Sequence, residues 1–91
     1  MTEPIRWTVI LLRQPNKILA RLPADLRRRL LAALHKLEDD PRPQGYRKLE
    51  GYEDLYRVRV GDWRIIYAIR DAELIVLVVE VAPRGSAYRD L

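Results

Sequence analysis

The stretch from Lys48 to Tyr67, KLEGYEDLYRVRVGDWRIIY, constrains the fold of this 91-residue chain more than any other. Two β-rich runs, Leu55 to Val60 and Trp63 to Ile69, flank Gly61-Asp62, a pair suited to the positive φ angles of a two-residue hairpin turn. The spacing predicts a β-hairpin and sets its register. Val60 should face Trp63, Val58 should face Ile65 and Tyr56 should face Tyr67, all on one side of the pleat. On the other side Arg59 should face Arg64, with Arg57 two residues along the same strand. Like charges directly opposed normally destabilise a hairpin. Such a face is either solvated surface or a seat for a polyanion. The second reading is preferred, because the planar guanidinium fork donates paired hydrogen bonds to phosphate oxygens and stays charged at physiological pH.

Before the hairpin, Ile5 to Leu12 alternates, with Ile5, Trp7, Val9 and Leu11 on one side, and reads as a strand. Gln14-Pro15-Asn16 breaks it, and Pro15 or Asn16 suits the start of a short helix running through Leu22. After Pro23, the segment Ala24 to Glu38 carries Leu26, Leu30, Ala33, Leu34 and Leu37 at the spacing of a helical stripe. Asp25 in its first turn and Lys36 in its last complement the helix dipole, and Pro41 ends it. Two helices so tightly joined predict an antiparallel helical hairpin on one face of a sheet. Arg27-Arg28-Arg29 reads as a solvated face, with an RNA-backbone contact as the alternative. His35 falls beside Leu31 and Glu38, off the leucine stripe, and is expected at the surface.

Asp40 to Tyr46 is a loop rich in Pro and Gly. Beyond the hairpin, Arg70 to Glu73 should turn the chain into Leu74 to Val81, apolar on both faces and so expected inside the sheet. Ala82-Pro83-Arg84-Gly85 then ends that strand. Arg84 falls just past it, and Tyr88 follows four residues later in a short C-terminal helix or tail. The order β-α-α-β-β-β predicts an α+β fold, a helical hairpin packed on a mostly antiparallel sheet, in one domain spanning residues 1–91.

Of the charged residues, 17 are basic and 13 acidic, a net charge of +4, and 14 of the 17 are arginine. That balance points to nucleic acid or an acidic protein partner. With no cysteine and one histidine, no disulfide framework and no zinc cluster is expected, nor any other metal or cofactor. The N-terminus lacks a signal-like apolar core, and the longest apolar run is too short to span a bilayer, so a soluble cytoplasmic protein is expected. There is no Gly-rich nucleotide loop and no Ser/His/Asp or Cys/His constellation. What converges instead is a set of arginines and a tyrosine.

KLEGYEDLYRVRVGDWRIIYAI followed by VLVVEVAPRGSAY resembles the RelE branch of the RelE/ParE toxin superfamily over essentially the full length. The most specific parts are the KL-x-G start, the Y-R-V-R-V-G-D-W-R-I-I-Y hairpin and the R-x-x-x-Y ending. The resemblance implies a RelE-like, microbial-RNase-like fold and a toxin of a type II toxin-antitoxin system. It also implies an endoribonuclease that enters the ribosomal A site and cuts mRNA without a metal, by attack of a ribose 2′-OH on its adjacent phosphate. Carried over by position, Arg64 steadies the phosphate in the transition state, Arg84 acts as general acid or charge stabiliser at the leaving oxygen, and Tyr88 stacks on or orients the nucleotide. Arg57 and Arg59 stand where well-studied members carry lysines, one of them a candidate general base. Lys48, Arg57, Arg59 and Arg64 are the expected RNA contacts.

An arginine essentially never gives up its proton, which leaves the base open. Tyr88 could serve, Lys48 or Glu50 could substitute, or cleavage could rest on positioning and charge stabilisation, the option ranked first. The implied partners are a cognate antitoxin, in a hetero-oligomer with the toxin, and the ribosome with its mRNA, and no membrane. The alternatives are a ParE-like inhibitor of DNA gyrase and a catalytically inactive antitoxin-binding module.

Overall fold

The computed structural model describes residues 5–85. Tyr88 and the rest of the expected tail lie outside them. The order is β1 (Thr8–Leu11), α1 (Arg13–Arg21), α2 (Ala24–Asp39), β2 (Arg47–Lys48), β3 (Leu55–Val60), β4 (Trp63–Arg70), a 3-10 turn (Asp71–Glu73) and β5 (Ile75–Pro83). The strands form one sheet in the order β1-β5-β4-β3-β2, with β1 parallel to β5 and every other pair antiparallel. Two helices on a mostly antiparallel sheet is the expected α+β fold. The sheet has five strands rather than four, because the two-residue β2 is too short to announce itself by alternation.

The hairpin forms in the expected register, with Val60 opposite Trp63, Val58 opposite Ile65, Tyr56 opposite Tyr67 and Arg59 opposite Arg64. Of the two turn residues only Gly61 takes a positive φ, 60°, the position a type II′ turn reserves for glycine. The strand predicted from Leu74 begins at Ile75, because Leu74 closes the 3-10 turn in a left-handed conformation, φ 56°. It lies inside the sheet, between β1 and β4.

The core sits between the helices and one face of the sheet. Leu19, Leu30, Leu34, Leu37, Ile65, Tyr67, Val76, Val78 and Val81 form its buried cluster, flanked by Trp7, Val9, Leu11, Leu26 and Ala33. Ile5, expected on the same side, is 66% exposed, since the strand begins only at Thr8. Tyr67 is fully buried and donates its hydroxyl to the Pro41 carbonyl at 2.8 Å. Arg42 and Asp71 form a two-point ion pair, at 2.9 and 3.1 Å, which ties the loop after α2 to the turn before β5.

The three consecutive arginines of α2 go separate ways. Arg27 turns back to donate to the carbonyls of Leu19 and Leu22 at 3.0 and 2.8 Å, covering carbonyls that the end of α1 leaves without helical partners. Arg28 pairs with Asp25, and Arg29 lies against Gly61 at the hairpin tip. His35 is exposed, as expected. Replacing Arg27 by alanine strips two charge-assisted hydrogen bonds from the helical joint. The expected loss is about 1–3 kcal/mol, read as a lower urea midpoint at unchanged m-value, whereas Arg28→Ala should be nearly silent.

No helix among the described residues is long and apolar enough to cross a membrane.

Candidate functional site: an arginine face aimed by a bulge

The face of the sheet away from the helices carries the arginines. Arg59 and Arg64 are directly opposed on β3 and β4, and Arg57 is two residues from Arg59. Arg47 of β2 is opposite Arg57, so a fourth guanidinium joins the same face. Sequence alternation misses it, since no pattern in Tyr46 to Leu49 marks a two-residue strand. Lys48 pairs with Tyr56, and its side of the pleat is therefore the helix side, not the arginine face. Glu50 lies in the turn after β2, beside Leu49, Gly51 and Tyr52. Of the expected RNA contacts, three share the face, and Arg47 stands where Lys48 was expected.

Arg64 is the least comfortable of these side chains. It is half-buried, and its Nε and Nη2 atoms are inaccessible to solvent with no hydrogen-bond partner among the described residues. Leaving buried donors unmet costs about 1–3 kcal/mol, more where the group is charged. Arg57 is also half-buried, and burial holds its guanidinium below the usual arginine value, with Arg59, Arg47 and Arg64 adding repulsion. It nonetheless stays protonated at neutral pH. Among the described residues, none of Arg47, Arg57 and Arg59 has an ion pair. An anion with several oxygens laid across this face would satisfy all four at once.

A β-bulge completes the face. Ile66 pairs with Glu80 but Tyr67 pairs with Val78, so Val79 is the extra residue of β5. Val76 and Val78 point into the core. Strict alternation would send Glu80, Ala82 and Arg84 after them. The extra residue reverses the parity, so that Val81 returns to the core while Glu80 and Ala82 share the side of Ile66 and Arg64. Bulges next to functional sites commonly re-aim side chains in this way. Arg84 follows the strand in a turn, and its backbone N–H donates to the Asp62 carbonyl at 2.6 Å, fixing its backbone beside the hairpin tip.

The re-aimed end of β5 is held firmly. β1 stops opposite Val78, and Gln14 takes over its role. Its side-chain amide donates to the Val81 carbonyl at 3.0 Å and accepts from the Val81 N–H at 2.9 Å. A groove of about 530 Å³ lies alongside, lined by Leu12, Arg13, Lys17, Ile18, Arg21 and Val79. It is lined mainly by α1 residues and is distinct from the arginine face. Among the described residues no cluster of His, Cys, Asp or Glu has the makings of a metal site.

A basic sheet face on this α+β frame defines the class, and comparison with known proteins makes it specific. The family model of the ParE toxin of type II toxin-antitoxin systems matches residues 5–88, and the chain belongs to that family, within the RelE/ParE group of toxins. It is similar to RelE in the archaeal RelE-RelB complex of Pyrococcus horikoshii, with 36% identity, a TM-score of 0.78 and coverage of 90% of this chain and 99% of that one. It also resembles a Methanocaldococcus jannaschii protein assigned as toxin RelE1, 24% identical over 94% of this chain and 99% of that protein. The intact RelBE complex of E. coli shares the fold, with a TM-score of 0.74, 24% identity, and coverage of 91% of this chain and 99% of that one.

Proposed function

We propose that this toxin is a ribosome-dependent endoribonuclease that cuts mRNA in the ribosomal A site, with the ribose 2′-OH attacking the adjacent phosphate and no metal taking part. The observation that carries the reading is the half-buried Arg64 guanidinium, two of whose donor nitrogens find no acceptor among the described residues. A phosphate placed there takes those donors. Its charge rises as the phosphorus becomes pentacoordinate, so the same hydrogen bonds strengthen in the transition state. Arg59 and Arg57 extend the positive field along β3, and Arg84 stands at the end of β5, where a leaving oxygen would be stabilised. Tyr88 would stack on or orient the nucleotide. The protein works in the cytoplasm, where translating ribosomes are.

Its partner is a cognate antitoxin, as the RelE-RelB complexes of the relatives suggest. An acidic segment laid over the arginine face would neutralise it and block the site.

The match to a ParE toxin model favours a second reading, the one that resemblance to the ParE-like branch implies: inhibition of DNA gyrase by binding. A cell-free translation assay run beside a gyrase supercoiling assay separates the two. The nuclease reading expects translation to stop while supercoiling continues, and the opposite pair of results would sink it.

Arg47 gives a further test of how RNA lies on the face. Arg47→Ala should weaken binding of a labelled single-stranded RNA and reduce the slope of log affinity against log salt by about 0.7, the effect of one lost phosphate contact. An unchanged slope would place Arg47 off the RNA path.

A further inference from the structure

We propose that Glu80 is the general base of the cleavage reaction, an inference that rests on the nuclease reading above. A base is needed that can accept a proton, and no arginine qualifies. Lys48 is on the helix side of the pleat and Glu50 is in the turn after β2, so neither of these substitutes shares the arginine face. Glu80 does, through the bulge at Val79 that turns it out of the core.

Its position suits the task. Glu80 is opposite Ile66, which is two residues from Arg64, so the carboxylate and the guanidinium are diagonal neighbours on adjacent strands. Such neighbours stand roughly 7–8 Å apart at the backbone, within reach of two long side chains meeting over one ligand. In the same cross-strand row Ile66 is fully buried, with Arg57 on its other side. Glu80 is half-buried, with one carboxylate oxygen inaccessible to solvent. On its own face of the sheet, Glu80 has Arg64 diagonally across on β4 and Arg57 beyond Ile66 on β3. The Gln14 clamp on Val81 fixes the neighbouring backbone, so the base rests on a rigid strand.

With phosphate on Arg64, the carboxylate of Glu80 takes the proton of the 2′-hydroxyl as O2′ bonds to phosphorus. The P–O5′ bond breaks, and its electron pair leaves on O5′, which takes a proton from solvent. Glu80 returns its own proton to solvent, leaving a 2′,3′-cyclic phosphate and a 5′-hydroxyl.

The test measures single-turnover cleavage of mRNA on programmed ribosomes across pH for wild type, Glu80→Gln and Glu80→Asp. Glu80→Gln keeps size and hydrogen bonding but cannot accept the proton. It should lower the rate by about 10²–10⁴-fold, abolish the acidic limb of the pH-rate profile, and leave ribosome binding and melting temperature near wild type. Glu80→Asp should retain the acidic limb at a reduced rate, and so reports on the carboxylate even if the glutamine variant folds poorly. A glutamine variant with the wild-type rate, or with the acidic limb intact, would overturn the assignment while leaving the nuclease reading standing. Absence of cleavage by wild type would overturn both.

Discussion

Arg64→Met is expected to lower mRNA cleavage by about 100-fold, the scale of losing one preorganised transition-state donor, and at the same time to make the protein more stable. The two effects share a cause. In the folded protein Nε and Nη2 of Arg64 are buried without acceptors among the described residues, and Arg59 is directly opposite. Methionine keeps the packing volume but removes both the unmet donors and the repulsion, so a gain of about 1–3 kcal/mol is expected. Arg59 is exposed, so Arg59→Ala should change stability little and act mainly through substrate affinity. Cleavage rate and denaturant midpoint, measured on the same preparations, decide the matter. An Arg64 variant that loses activity and stability together would mark the residue as structural.

Tyr67→Ala is expected to be the most destabilising single change in the sheet, at about 3–5 kcal/mol, the usual cost of emptying a large aromatic site. The ring is fully buried in the main core, within 6.3 Å of the Tyr56 ring, and its hydroxyl holds the Pro41 carbonyl at 2.8 Å. At roughly 4–8 °C per kcal/mol for a domain of this size, the melting temperature should fall by more than about 12 °C. Tyr67→Phe isolates the hydroxyl and adds a pH signature. Burial pushes the Tyr67 phenol far above its ordinary value, with Tyr46 and Asp40 contributing. The folded state therefore keeps the proton where the unfolded chain releases it. The stability this supplies is complete below about pH 10, the unfolded tyrosine value, and is lost as pH rises toward the folded value. Wild type should lose stability progressively above about pH 10, and Tyr67→Phe should lack that component of the loss. Parallel alkaline profiles for the two proteins would contradict it.

Much of the fold and part of the site are legible in the sequence, for identifiable reasons. Gly61-Asp62 between two β-rich runs fixes a two-residue loop, and loop length fixes register, so the facing of Arg59 and Arg64 follows directly. The leucine stripe of α2 is equally plain. What escapes depends on tertiary pairing. β2 has two residues and exists only because Arg47 and Lys48 meet Arg57 and Tyr56, so the side of the pleat taken by Lys48 has no local signal. The bulge at Val79 hides in LIVLVVEV, where both faces are apolar and parity leaves no trace. Glu80 there is an acidic residue in an apolar run, and only the count of residues opposite Ile66 and Tyr67 shows which way it points. Gln14 has the look of a strand breaker and instead extends the ladder with its side chain.

Whether the arginine face cuts RNA on the ribosome is tested most directly by incubating purified toxin with mRNA-programmed ribosomes and, separately, with free mRNA. An Arg84→Ala control runs alongside, and primer extension maps the ends. A cut at the A-site codon only when ribosomes are present, and lost in the variant, is the expected result. An intact message on programmed ribosomes would contradict the account and make the face a surface for binding alone.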